Sequence, residues 1–175
     1  LDYLVEKMMD GLFLLLGSNI EDQNYFIEKA RMELTRIFGP PIINSSIYKT
    51  EPWGNKNQAW FLNQVVIHEF QVLNHQNLLT EIKEIETIVG RKQRDRWGAR
   101  EVDIDILYWY DEIFQDESLK IPHPQIAGRK FTLVPLVEIA PDKMHPLLGK
   151  TQSQLLMECK DTSEVRIQRL SDTGG

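Results

Sequence analysis

The stretch Val102-Asp103-Ile104-Asp105-Ile106-Leu107 constrains this chain more than any other. Its branched and apolar residues are those of a buried strand, yet it carries two aspartates two residues apart. A strand has a side-chain period of two, so Asp103 and Asp105 share one face. Two carboxylates on one sheet face repel each other and are costly to bury. A divalent cation between them is one of the few arrangements that offsets this. Just upstream, five of the chain's 20 Lys and Arg residues lie between Arg91 and Arg100. Alone, such a run reads as readily as a solvated loop; beside the aspartate pair it points to a polyphosphate.

A chain of 175 residues has the length of one ordinary domain with a sizeable core. The formal charge of -6 argues against a nucleic-acid binder, which would carry a basic footprint over a face. Cys159 is the single cysteine, so no internal disulfide forms and a reducing, cytoplasmic setting is expected. The longest apolar run, residues 12–16, is too short to span a bilayer, and no signal-peptide pattern is present, so no membrane partner is expected. Residues 1–10 carry only a weak helical pattern and read as an N-terminal extension, the tail of a fused domain or a cloning remnant. Residues 11–172 read as a single domain, with residues 173–175 frayed.

Along the chain, residues 11–16 predict a fully buried strand closed by Gly17-Ser18-Asn19. That turn is expected to be tight and locally capped, with an anion cradle as the weaker alternative. Apolar spacing predicts a helix over 24–38, ended by Gly39-Pro40-Pro41. Strands are predicted over 42–48 and 60–70, with a Pro-, Gly- and Asn-broken loop over 50–55 between them. Asn63 interrupts the second of these strands and needs hydrogen-bond partners, either backbone or a heteroaromatic ligand edge. A second amphipathic helix over 77–89 stops at Gly90. The aspartate strand then runs to Tyr108 or Trp109. Prolines extend the segment 121–124, Pro135 is expected near the start of a helix within 131–140, a short helix is expected over 151–160, and a last strand over 165–170. The order β-α-β-β-α-β predicts an α+β fold, a ferredoxin-like antiparallel sheet with helices on one face and a C-terminal helical and strand extension.

Taken together, L-G-S-N (16–19), Y-K-T-E-P-W-G (48–54), F-L-N (61–63), G-R-x-x-R-x-R-W-G-x-R-x-x-D-x-D-I (90–106), P-H (122–123) and R-x-F (129–131) occur in an order that resembles the 6-hydroxymethyl-7,8-dihydropterin pyrophosphokinases of folate biosynthesis. The resemblance runs from about residue 12 to 140, and its W-G-x-R-x-x-D-x-D block is the most specific part. It implies transfer of pyrophosphate from ATP to the hydroxymethyl group of a reduced pterin, with release of AMP. It further implies that Asp103 and Asp105 hold two Mg²⁺ ions, the pair already singled out by spacing. Arg91 and Arg100 would act with them on the phosphates, with Glu86, Arg94, Ile106, His123 and Arg129 as further ATP contacts. The pterin would be held by Thr50, Pro52, Trp53, Phe61, Asn63, Trp97 and Phe131. Arg91 to Arg100 would form a moving basic loop. Lys83 and Ser118 depart from residues that some members use for ATP. Fusion to, or association with, a neighbouring folate-pathway enzyme is a further implication.

Two other classes are compatible with parts of the sequence. A noncatalytic ferredoxin-like module for nucleic acid or a regulatory ligand accounts for the topology and the basic loop, but not for the acidic balance or the D-I-D strand. A D-x-D metal-dependent glycosyl or nucleotidyl transferase accounts for the aspartates, but not for the T-E-P-W-G loop.

Overall fold

The computed structural model describes residues 10–54, 56–70, 74–92 and 99–169. The elements in chain order are β1 (Leu12–Ser18), α1 (Gln23–Phe38), β2 (Pro41–Asn44), β3 (Tyr48–Thr50), β4 (Phe61–His68), α2 (His75–Val89), β5 (Asp103–Trp109), β6 (Phe114–Gln115), β7 (Lys120–Ile121), a 3-10 turn (Ile126–Gly128), α3 (Lys130–Ile139), α4 (Gln152–Glu158) and β8 (Val165–Ile167). The main sheet runs β5-β1-β4-β3-β8, with β2 also paired to β4, and every pairing is antiparallel. The two helical crossovers interleave. The chain leaves β1 through α1 and returns beyond β4, then leaves β4 through α2 and returns beyond β1.

The apolar run of β1 explains the layering. Leu12, Leu14 and Leu16 face one side, where they join Ile27, Ala30 and Leu34 of α1 and Leu78, Ile82 and Ile85 of α2. Phe13 and Leu15 face the other, where they join Leu133 and Leu136 of α3 and Leu155 of α4. A strand apolar on both faces needs cover on both, and each fully buried Leu or Phe contributes roughly 1.5–3 kcal/mol. The two helices of the β-α-β-β-α-β unit share one face, as expected, and the helices of the C-terminal extension cover the other as a second layer.

Three departures have local causes. The strand expected over 42–48 is two strands, because the polar Asn44-Ser45-Ser46 segment bonds sideways. Val65 N–H donates to Ser45 Oγ (2.9 Å), Gln64 Nε2 donates to the Ser45 carbonyl (2.7 Å), and Ser46 N–H and Oγ–H donate to the Glu138 carboxylate. The turn after β1 is not closed by an N-cap side chain: Asp22 sits left-handed (φ 65°) at the start of α1 without a capping bond, Asn19 bonds elsewhere, and the local contact is Gln23 Nε2 donating to the Ser18 carbonyl (2.9 Å). Pro135 lies in the interior of α3, where its missing N–H leaves a backbone acceptor without its helical donor. The Ile121–Pro122 peptide is cis. Among the described residues, no helix is long and apolar enough to cross a membrane.

Candidate active site

Asp103 and Asp105 lie on the second-layer face of β5, opposite Gly17 and Leu15 of β1 in the antiparallel register. α3 packs on Leu15, while both carboxylates remain 31% exposed. Beside them opens a cleft of about 740 Å³, its mouth included, whose polar wall includes Arg100, Asp103, Asp105 and Arg129. Thr50, Trp53, Phe61, Asn63 and Phe131 complete its lining. Gly17 makes room for it: a Cβ there would stand 2.9 Å from Asn63 Oδ1 and 3.8 Å from the Phe61 ring. Asn63 Nδ2 donates to Thr50 Oγ1 at 2.7 Å, deep in the sheet, so the strand-interrupting asparagine is satisfied by a side chain.

The basic loop is pinned at both ends to this spot. Arg91 N–H donates to the Glu86 carbonyl (2.9 Å), and Lys92 N–H to the Glu101 carboxylate (3.3 Å). At the other end, Arg100 N–H donates to Asn19 Oδ1 (2.7 Å), Asn19 N–H donates to the Arg100 carbonyl (3.2 Å), and Asn19 Nδ2 donates to Gln58 Oε1 (3.2 Å). Asn19 thus joins the turn after β1, the loop after β3 and the base of the basic loop. Arg94, Trp97 and Gly98, with the expected motion of this loop, lie outside the described residues.

The cations are paired with the carboxylates. Arg91 bridges Glu86 and Asp103 (3.0 Å to the latter), Arg100 reaches Asp103 at 2.9 Å, and Arg129 approaches Asp105 at 3.9 Å. Glu86 also accepts from Ile104 N–H at 2.8 Å and is not among the residues lining the cleft, so here it holds Arg91 and β5. Burial, reinforced by the charge on Asp103, pushes the Asp105 carboxyl up to about 6. Burial also pushes Glu86 up to about 7, against its bond from Ile104 N–H. Arg129 stacks over Trp53 (4.9 Å) and Phe131 (5.7 Å), which makes a cationic, aromatic wall suited to a flat ring.

A second cleft opens along the outer edge of β5. It is lined by Ile104, Asp105 and Ile106 on the strand, Leu79 on α2, Glu117 to Lys120 in the β6–β7 hairpin, and His123 with Pro124. Asp105 lines both clefts. Burial and the neighbouring Arg129 push His123 down to about 4, so its ring is neutral at physiological pH. Its Nδ1 accepts from Gln125 N–H at 3.1 Å, which leaves Nε2 to carry the proton.

The structure brings Thr50, Trp53, Phe61, Asn63, Arg100, Asp103, Asp105, Arg129 and Phe131 to one cleft, and Ile106 and His123 to its neighbour. Pro52 is buried and lines neither. Sequence reasoning missed Glu51 and Gln58 on the first cleft and Leu79, Leu119 and Lys120 on the second. Gln58 falls in an irregular loop with no periodicity to mark it. Ser118, noted as a departure, does line the second cleft, whereas Lys83 lines neither.

Comparison with known proteins agrees with this geometry. The profile of the 7,8-dihydro-6-hydroxymethylpterin-pyrophosphokinase (HPPK) family matches residues 13–141. The 2-amino-4-hydroxy-6-hydroxymethyldihydropteridine pyrophosphokinase of Aquifex aeolicus is 42% identical over 142 residues, covering 81% of this chain and 88% of that protein. The protein of the same name from Methylorubrum extorquens is 36% identical, covering 91% of this chain and 100% of its own length. Among solved structures, Plasmodium falciparum HPPK-DHPS with pteroate superposes with a TM-score of 0.66 at 16% identity over 84% of this chain, a likeness of fold; the chain spans 44% of that longer protein. The chain also matches 19% of the length of the Pneumocystis carinii folic acid synthesis protein fol1, at 35% identity. By the family match and by relatives covered over most of their length, this chain belongs to the HPPK family.

Proposed function

We propose that the protein transfers pyrophosphate from ATP to the hydroxymethyl group of 6-hydroxymethyl-7,8-dihydropterin, releasing AMP, as a step of folate biosynthesis. The observation that carries this reading is the meeting of two unlike clefts at Asp105. The first offers a stacked aromatic and guanidinium wall with the Thr50–Asn63 pair, which suits a flat pterin with an amide-like edge. The second offers an apolar edge beside neutral His123, which suits a nucleotide. A pterin hydroxyl held between them attacks the β-phosphorus and gives up its proton to solvent, the bond from the β-phosphorus to the oxygen it shares with the α-phosphate breaks, and AMP leaves with that oxygen. Arg100 and Arg129 line the space where the negative charge is redistributed, and Arg91 is held beside it on Asp103.

Magnesium belongs to the same proposal, with two ions held by Asp103 and Asp105. The donor set fits: both carboxylates point to one face, both reach solvent, and the mutual charge that helps raise Asp105 is relieved by a dication. When bound, Mg²⁺ supplies positive charge to the phosphate oxygens. Arg94 and Trp97 complete the proposed phosphate and pterin contacts, and residues 11–172 are proposed as one domain. The lone Cys159 suits a cytoplasmic setting. Relatives in which an HPPK unit is part of a longer folate-pathway protein support association with such an enzyme as a further element of the proposal. A noncatalytic module is disfavoured, since a binding surface has no use for two converging carboxylates held at such cost.

The test is incubation with ATP, Mg²⁺ and reduced 6-hydroxymethylpterin, followed by identification of the nucleotide product. AMP with a pterin diphosphate is expected; ADP with a pterin monophosphate would overturn the reading.

A further inference from the structure

The β6–β7 hairpin supplies four consecutive residues, Glu117 to Lys120, to the wall of the second cleft. Its own ladder is minimal: Phe114 pairs with Ile121 and Gln115 with Lys120, and the hairpin joins no other sheet. A two-stranded ribbon of this length does not hold its shape in water alone. Inside the turn, Asp116 accepts from Ser118 N–H and Leu119 N–H, each at 2.7 Å, and from the Ser118 hydroxyl at 2.9 Å. These bonds shape the turn but do not fix where the hairpin stands against β5.

That placement comes from Leu119 and Ile121, which are buried in the main core, together with the first turn of α2. The His75 ring lies face to face on Phe114, with centroids 3.9 Å apart and planes within 5°, and edge-on to Trp109 at 5.1 Å. His75 Nε2 contacts the Glu112 carboxylate at 2.5 Å. The adjacent Gln76 Nε2 donates to the Asp116 carboxylate and also reaches Ser118 Oγ at 3.4 Å. Two neighbouring side chains thus hold the hairpin at its base and at its tip. Neither lines a cleft. The helix that carries them also contributes Leu79, one turn further along, to the cleft itself.

We propose that His75 and Gln76 are positioning residues for the nucleotide site: they clamp the β6–β7 hairpin at the distance from β5 that a purine base requires, and so set ATP affinity without touching ATP. This rests on the nucleotide reading of the second cleft. Loss of the clamp lets the wall drift from Ile104 and Ile106, while the aspartates, arginines and pterin wall, built on other elements, stay in place.

The experiment measures equilibrium ATP binding with Mg²⁺ in the absence of pterin, then pterin binding, then kcat and KM, for wild type, His75→Ala, Gln76→Ala and His75→Phe. Loss of one stacked pair is expected to weaken ATP binding about three- to tenfold in His75→Ala. Gln76→Ala, at an exposed position, weakens it less and guards against a folding defect. KM for ATP rises in step while kcat and pterin affinity hold within about twofold. His75→Phe, which keeps the stack, recovers most of the ATP affinity. Wild-type ATP affinity in both alanine variants, or an equal loss of pterin affinity, would overturn the inference. Absence of ATP binding in wild type would instead overturn the nucleotide reading of the cleft.

Discussion

Asp105 is the residue on which the two clefts and the charge pattern converge, and its protonation yields a measurable signature. Its carboxyl titrates near 6 in the fold against an ordinary 3.8, because burial and the Asp103 charge both disfavour ionisation. The folded state therefore holds this proton more tightly than the unfolded chain. The stability it confers is complete below about 4 and is lost as pH rises through about 6. Glu86, raised to about 7 chiefly by burial, acts in the same direction over a slightly higher window. In the metal-free protein, the melting temperature of Asp105→Asn relative to wild type should rise as pH goes from 4 to 7. Adding Mg²⁺ should recover stability in wild type but not in the variant. A wild-type advantage that grows with pH in the absence of metal would contradict this account.

At the scale of elements, the C-terminal extension does more than cover Phe13 and Leu15. α3 begins at Lys130 and takes no side-chain cap from its N-cap residue, Arg129; Asp161, far along the chain, accepts from Lys130 N–H at 2.9 Å and is itself braced by Ser163. β8 pairs with β3, and Glu51 N–H donates to the Glu164 carbonyl (3.0 Å) while Glu164 N–H donates to the Glu51 carboxylate (2.7 Å). The extension thus grips the loop after Thr50 and the start of the helix that carries Phe131, two walls of the pterin cleft. Asp161→Ala should cost about 1–2 kcal/mol of stability, measured by denaturant titration. It should also weaken pterin binding several-fold; unchanged pterin binding would argue against it.

These elements also mark what the sequence could and could not reveal. The D-I-D strand, both long helices and the T-E-P-W-G loop were legible because their signals are local: period two, helical spacing, and residues that break regular structure. The break between β2 and β3 had a local trace in Asn44-Ser45-Ser46, but apolar Ile42, Ile43 and Ile47 on either side outweighed it. The second helical layer was implicit in the unbroken apolar run of β1, which calls for cover on two faces. By contrast, the cap from Asp161, the Asn19 junction and the His75 stack join residues dozens of positions apart. No pattern along the chain announces them, because their partners are chosen by the fold.

For the molecule as a whole, the net charge of -6 is a poor guide to what a ligand meets. Arg91 and Arg100 stand against Glu86 and Asp103 in one connected group of ion pairs, and Arg129 stands against Asp105 beside it. Such a site behaves like a salt awaiting metathesis. Phosphates claim the guanidinium groups cleanly only if the carboxylates gain other counterions, and a dication claims the carboxylates cleanly only if the guanidinium groups gain other anions. Each half alone leaves like charges facing each other. On the proposed reading, nucleotide and Mg²⁺ should therefore strengthen one another's binding by the same factor, about 5- to 150-fold beyond their association in solution. Calorimetric titration of each in the presence and absence of the other measures that factor, and a value of one would exclude the exchange. The same balance predicts company: a free phosphate ester or a free metal ion, however abundant, finds the arginines and aspartates already spoken for by each other.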